Sequence, residues 1–376
     1  MVMTKILYVH NADFSKPCAN RIQVLNMCKA FRKIGQDITL MSFNNDNYNI
    51  KKIYNEDVDY NTISLKPFIN YYFRSLLLFL RFLNIKNNYN YVYTRDLIFA
   101  FLVSKFFKNK KVIYELHDLS NGKLWHLLFK QTFKNLHGCV VISKGLKEEL
   151  IKNDFNDNKI HVLHDGVDLD KFDVDISKNE ARKILNLPKN KTIISYTGSL
   201  QKWKGYGTFL KSYGYLKNKE NIVYLVVGGN EEQVIRLKEK YNNKNIIFVP
   251  FIENSKIPLF LKVSDILVIP NSSKYEISVK YTSPLKLFEY MASKRPIIAS
   301  DLPSIGEVVS EDDVLFFKPD NEKDLALKIE ELINDNRMQN KLVNNAFEKV
   351  KEYTWEKRAK EIISKCLEGN YEINFN

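Results

Sequence analysis

The chain has 376 residues, more than one ordinary core accommodates and enough for two domains. At 45% apolar and 27% charged it falls outside the fibrous and globally disordered classes. A net charge of +13 favours an anionic partner but not nucleic acid, because no zinc-finger spacing, Arg-rich tail or compact basic block accompanies it.

The first ten residues hold an apolar run too short for a signal peptide. Ile6–Val9 is apolar on both faces and reads as a buried parallel strand. Asn20 to Lys33 carries Ile22, Leu25, Cys28 (or Met27) and Phe31 at helical spacing, and Gly35 stops it. Asp37–Ser42 is the second strand. Tyr71–Leu83 is a strongly apolar helix interrupted by Arg74 and Arg81. It is too short to span a bilayer, which needs roughly 20 apolar residues. Two readings of it stand: a helix lying on an anionic membrane with its arginines snorkelling, or one packed on the N-terminal sheet. Strands at Tyr91–Tyr93, Lys111–Tyr114, Gly138–Ile142 and Lys159–Leu163 follow, with a helix near Leu97–Phe107. Strands separated by helical crossovers make a parallel sheet covered on both faces.

The pattern then restarts. Asp173–Glu180 reads as a linker into a helix at Ala181–Leu185. Strands follow at Thr192–Thr197, Asn221–Val227, Ile246–Val249, Ile266–Ile269, Pro296–Ala299 and Val314–Phe317. Helices are expected at Ser255–Val263, Pro284–Ala292 and Glu322–Ile333, with a helical stretch from Met338 to Glu368 that breaks near Tyr353–Trp355. The expected fold is α/β: two Rossmann-like doubly wound parallel-sheet domains facing a cleft. Their expected bounds are 1–170, 171–350, and a final helix over 351–376 that crosses back to the first domain. The scattered Cys18, Cys28, Cys139 and Cys366 form no CxxC pair and fit a reduced, cytoplasmic compartment.

No GxxxxGK[ST] is present, and the turn after the first strand, Asn11–Pro17, holds no glycine, so P-loop and NAD fingerprints are both absent. Two other segments suit phosphate. In Tyr281–Met291, Ser283 reads as an N-cap and Pro284 as the first helical residue, which frees amides from about Leu285 onward to form an anion site. Lys286 in that first turn opposes the helix dipole unless it faces an anion or a carboxylate. Glu289 lies further along, within reach of ribose hydroxyls. In Tyr196–Gly205, Gly198 permits a tight turn and close ligand approach, and Lys202 and Lys204 bring mobile positive charge. Read alone, the first segment is equally a capped surface helix, and the second reads more readily as an ordinary βα loop with solvated lysines.

Together these residues resemble the retaining, GT-B fold glycosyltransferases of family GT4 (glycosyl transferases group 1). The resemblance spans essentially the whole chain and is strongest in Ser283–Ala292, Arg295–Pro303 and Glu307–Val308. It implies a nucleotide-diphosphate sugar donor, UDP- or GDP-linked, held by Gly198, Ser199, Lys204, Ser283, Pro284, Leu285, Lys286 and Glu289. It also implies catalytic roles for His117, Lys204 and Lys286, with His117 placed by Tyr114–Asp118 at the cleft. The family's paired glutamates correspond to Tyr281 and Glu289, so the first acidic position is lost, and Glu276 lies nearby in sequence. The family's arginine falls on Ser199, a second departure, and Val162–Asp168 carries Asp165 where the family has asparagine. No DxD-type cluster has a fitting context, since Asp312–Asp313 reads as a solvated turn, so neither a metal nor a cofactor is expected.

The implied activity is transfer, with retention, to a glycan or lipid-linked acceptor in bacterial surface polysaccharide synthesis. The enzyme would work in the cytoplasm or at the cytoplasmic face of the inner membrane, with peripheral contact through residues 71–83. Two rivals stand beside it: a non-catalytic module that binds a nucleotide sugar or partner, and a sugar-nucleotide epimerase.

Overall fold

The structure, a computed structural model, describes residues 4–67, 71–119 and 122–368. The chain divides into two compact units, Met1–Asp165 with Trp355–Asn376, and Gly166–Thr354.

The first unit is built on seven strands: β1 (Lys5–Asp13), β2 (Asp37–Phe43), β3 (Asn61–Leu65), β4 (Tyr91–Thr94), β5 (Lys111–Leu116), β6 (Gly138–Val141) and β7 (Ile160–Val162). They lie in the order β3-β2-β1-β4-β5-β6-β7, and every pairing is parallel. The order reverses between β1 and β4, where ligands of doubly wound sheets bind. Two departures from the sequence reading matter. The edge strand β3 is too half-buried and polar to show as an apolar run. And β1 does not end at Val9 but continues to Asp13 through a register shift against β2. The Ser42 hydroxyl holds this extension by donating to the carbonyls of His10 and Ala12. The first three residues of the turn without glycine, Asn11 to Asp13, are therefore strand.

Three helices cover one face of this sheet side by side: Tyr71–Ile85, Leu97–Phe106 and Lys123–Asn135. Leu78 and Phe82 of the first are fully buried, with Phe82 edge-on to Phe99 at 5.7 Å. The apolar segment thus packs on the N-terminal sheet, while Phe73, Leu76 and Leu80 on its other side stay exposed. No helix among the described residues is long and apolar enough to cross a membrane. On the opposite face the helix Ala19–Lys33 packs against the C-terminal helix Trp355–Ile363.

The second unit holds β8 (Thr192–Thr197), β9 (Ile222–Val227), β10 (Ile246–Val249), β11 (Ile266–Ile269), β12 (Ile297–Ser300) and β13 (Leu315–Phe317). Their order is β10-β9-β8-β11-β12-β13, again all parallel, with the reversal between β8 and β11. Alternation along the strands divides the core. Ile194, Tyr196, Tyr224 and Val226 enter one apolar layer, where Phe209 stacks on Tyr224 at 4.3 Å. Ile193, Val223 and Leu225 enter another. The polar stretch before β8 is shorter than its composition suggests. A capping box between Ser177 and Glu180 starts the helix at Lys178.

Candidate functional site

In the second unit the site forms at the sheet's switch point, beyond the carboxyl ends of β8 and β11. Gly198 follows β8 with φ of +135°, a conformation closed to other residues. Its amide donates to the Val227 carbonyl at 2.9 Å. Gly205 ends the same loop, and a Cβ there would lie 1.6 Å from the Pro270 carbonyl oxygen. The loops after β8 and β11 therefore touch backbone to backbone. Tyr196 donates to the Ser199 carbonyl at 2.8 Å, so Ser199 contributes main chain while its side chain is exposed.

The helix Leu285–Ala292 is pinned against this turn, because the Tyr290 hydroxyl accepts the Thr197 amide proton at 2.8 Å. The start of this helix differs from the sequence reading. Pro284 is the cap and Leu285 the first helical residue, and no side chain caps the end. With ψ of 112° the proline stays extended, so its own carbonyl closes the first turn by accepting from Leu287 at 2.8 Å. Ser283 is buried one position further out. Among the described residues no serine side chain takes up the first-turn amides, and that of Leu287 is held by Pro284.

Lys286 is the most informative residue. It is 8% exposed, and among the described residues its Nζ has no hydrogen-bond partner. The ammonium lies 4.2 Å from the centre of the Tyr196 ring, and the nearest approach of a Gly198 side chain would be 3.6 Å from it. Burial first, and then the neighbouring charge of Lys204, hold its pKa well below the usual lysine range. Glu289, one turn on, acts in the opposite sense on Lys286. Its own carboxyl is half-buried and raised by desolvation, and opposed by Lys171, Lys286, an Asn254 hydrogen bond and Lys204. Lys204 is half-buried, whereas Lys202 is exposed. Tyr281 is buried, and the Glu276 carboxylate is exposed and paired with Lys280 at 2.9 Å.

Sequence reasoning missed several groups at this edge. Asn254 and Lys171 bear on Glu289. Asn271, two residues past β11, is wholly buried, and Ser300 lies at the end of β12; among the described residues neither side-chain amide atom of Asn271 nor the buried Ser300 hydroxyl has a hydrogen-bond partner. All except Lys171 and Ser300 lie in segments that follow strand ends, the one signal by which the topology rule finds them.

In the first unit, His117 follows β5 and bonds through Nε2 to the Glu115 carboxylate. Glu115 is wholly buried and also accepts from Gln23 at 2.7 Å, from Tyr93, and from Arg358 at 3.4 Å. Arg358 comes from the C-terminal helix and donates in addition to the His164 carbonyl at 2.9 Å. Burial, with help from Arg95, lowers His117 to about 4, so the ring is neutral at pH 7. With Nε2–H given to Glu115, Nδ1 is left as an acceptor. His10, near the end of β1, is buried and held well below the usual range by desolvation and then by Arg95. No motif in the sequence marks it.

Among the described residues, no group of three or more His, Cys, Asp or Glu is placed to hold a metal ion. Asp313 is not the solvated turn expected of it. It is buried and accepts from the Ser310 amide and hydroxyl and from Lys349.

Two parallel Rossmann-like sheets in one chain place the protein in the class of the GT-B fold. Within that class the chain is related to family GT4: the model for Glycosyltransferase Family 4 matches residues 22–171 and that for Glycosyl transferases group 1 matches residues 177–349. It is 29% identical over 300 residues to an uncharacterised glycosyltransferase of Methanocaldococcus jannaschii, covering 73% of this chain and 74% of that one. It is 28% identical over 233 residues to the N,N'-diacetylbacillosaminyl-diphospho-undecaprenol alpha-1,3-N-acetylgalactosaminyltransferase of Campylobacter jejuni, covering 60% of this chain and 59% of that one. HepE of Anabaena, solved with UDP-glucose, shares the fold with a TM-score of 0.76 at 14% identity, over 96% of this chain and 99% of that one.

Proposed function

We propose that the chain transfers a sugar, with retention of configuration, from a UDP- or GDP-sugar to a glycan or lipid-linked acceptor in bacterial surface polysaccharide synthesis. The single observation that supports the donor site is the buried ammonium of Lys286, which among the described residues has no hydrogen-bond partner and lies beside Lys204 and the start of a helix that no side chain caps. A buried cation without a hydrogen-bond acceptor is costly, and a diphosphate supplies acceptor oxygens and negative charge. Gly198 and the Ser199 main chain line the diphosphate; Ser283, Pro284 and Leu285 shape the helix end; Glu289 takes the ribose hydroxyls.

As the bond from the anomeric carbon to the diphosphate oxygen breaks, negative charge grows on that oxygen. Lys204, Lys286 and the first-turn amides stabilise it, the work a divalent ion does elsewhere, and the reaction proceeds without metal. The acceptor hydroxyl attacks from the same face and its proton passes to the departing phosphate. His117, neutral, turns an acceptor nitrogen to the sugar and positions it. The relatives lend support. The Campylobacter enzyme is named for an undecaprenol-linked acceptor, and HepE binds UDP-glucose. A lipid-linked acceptor puts the enzyme at the cytoplasmic face of a membrane, with residues 71–83 in peripheral contact.

The test is a panel of nucleotide sugars, followed by release of free nucleotide and by thermal shift, with and without EDTA. One donor should raise the melting temperature and be consumed regardless of chelator. Lys204→Ala and Glu289→Gln should each lower donor affinity about tenfold or more, the scale of one lost charge-assisted hydrogen bond. Unchanged affinity in both variants, or turnover abolished by EDTA, overturns the reading.

A further inference from the structure

The three helices that tile one face of the first sheet show an unusual outer surface. Six of the fourteen large apolar side chains exposed among the described residues sit on them: Phe73, Leu76, Leu80, Phe106, Leu124 and Leu127. The middle helix, Leu97–Phe106, has only Ser104 and Lys105 as polar residues. A helix apolar all round belongs in an interior. Here Ile98, Phe101 and Leu102 are only partly covered, and Phe106 is 61% exposed. Phe79 of the first helix meets Phe106 at 6.4 Å and Phe107 at 6.2 Å, which joins the two helices into one apolar sheet of side chains. At the usual spacing of 8–10 Å between packed helices, the patch is roughly 20 Å wide.

The charge around it is one-sided. No acidic residue occurs in any of the three helices. Residues 71–135 hold eleven Lys and Arg against three Asp and Glu, so this sixth of the chain carries eight of its thirteen net positive charges. Two of the three acids, Asp96 and Glu115, are buried. Arg81, Lys105, Lys123, Lys130 and Lys134 are exposed among the apolar residues.

We propose that this face docks on an anionic lipid bilayer. The proposal rests on the reading of the acceptor as membrane-borne. It widens the contact from one helix to three. Exposed Phe and Leu enter the acyl boundary, and the Lys and Arg stems lie along them with their charges at the phosphates. A protein partner suits the composition less well, since protein interfaces are depleted in lysine at their centres. The exposed lysines here are interleaved with the apolar side chains instead of lying outside them.

The test is sedimentation of the full chain with vesicles of phosphatidylcholine alone and of phosphatidylcholine with phosphatidylglycerol. Partition onto the anionic vesicles should be at least tenfold greater and should weaken as salt is raised. Leu124→Ser with Leu127→Ser, and separately Leu76→Ser with Leu80→Ser, should each lower it fivefold or more with little change in melting temperature. Should these fail to fold, Arg81→Gln with Lys105→Gln, both exposed, should reduce the preference for anionic vesicles. Equal partition of wild type and variants, or no preference for phosphatidylglycerol, overturns the proposal. So does a dimer, seen by light scattering, that the variants dissolve while vesicle binding stays the same. Thermal shift by UDP and GDP separates the two readings. If neither nucleotide stabilises a chain that still partitions, the donor site fails and the membrane face stands.

Discussion

The carboxyl edges of the two sheets are built from the same topology and solve the problem of buried charge in opposite ways. In the first unit, Glu115 is wholly buried yet fully partnered by Arg358, Gln23, Tyr93 and His117. In the second, Lys286 is nearly as buried and has no hydrogen-bond partner among the described residues. A closed network fixes the geometry of a side chain such as His117. An open one is where an anionic ligand can complete the balance. The two edges therefore differ in what substitution does to them.

The largest expected effect is at Arg358. Arg358→Met strands the Glu115 carboxylate without its cation, which costs about 3–5 kcal/mol for a broken buried pair. Urea unfolding at pH 7 measures it. The double variant Glu115→Gln with Arg358→Met should recover part of the loss, because the charge left behind is removed as well. A loss below about 1 kcal/mol in the single variant would mean that the network at the first edge is not closed by this pair.

Much of this arrangement is legible in the sequence. Buried runs such as Ile6–Val9 and Thr192–Thr197 marked the strands, and the block from Ser283 to Ala292 marked the helix that bears Lys286. What was hidden has physical reasons. Arg358 lies 243 residues from Glu115, and nothing local in either segment shows that they pair. The cap at Pro284 turns on one ψ angle that Ser-Pro spacing does not specify. Asn271 and Asn254 belong to no motif and gain meaning only where the ends of β11 and β10 place them. The helix Tyr71–Ile85 could be read as packed or as exposed because it is both, with Leu78 and Phe82 inward and Leu76 and Leu80 outward.

A smaller effect follows from the protonation of the first edge. His117 sits at about 4 in the folded chain against 6.5 when unfolded, so between these values the unfolded state binds the extra proton. Its contribution to stability is present above pH 6.5 and is lost as pH falls towards 4. Asp165 runs the other way. Burial first raises it to about 6, so it favours the folded state below pH 4 and loses that advantage as pH rises to 6. His117→Gln should remove the first slope and leave the second, a difference on the order of 2 kcal/mol across the window. Stability measured by urea between pH 4 and 7 decides it. Identical pH profiles for the two proteins would show that the ring is not held neutral.

The smallest expected effect tests the second edge and has two signs. Lys286→Met keeps the length and apolar stem of the side chain and removes an ammonium that has lost its water without gaining an acceptor. It also gives up the attraction to the Tyr196 ring. Relief of the desolvation outweighs that loss, so the ligand-free variant should be more stable by about 1 kcal/mol, seen as a higher urea midpoint at unchanged m-value. The same change should weaken donor binding about tenfold, because the charge that awaits the diphosphate is gone. Arg358→Met offers no such exchange, since its cation already has its anion within the fold. A Lys286→Met protein that is both less stable and unaltered in donor binding would make Lys286 a structural residue like Arg358, and the contrast between the two edges would disappear.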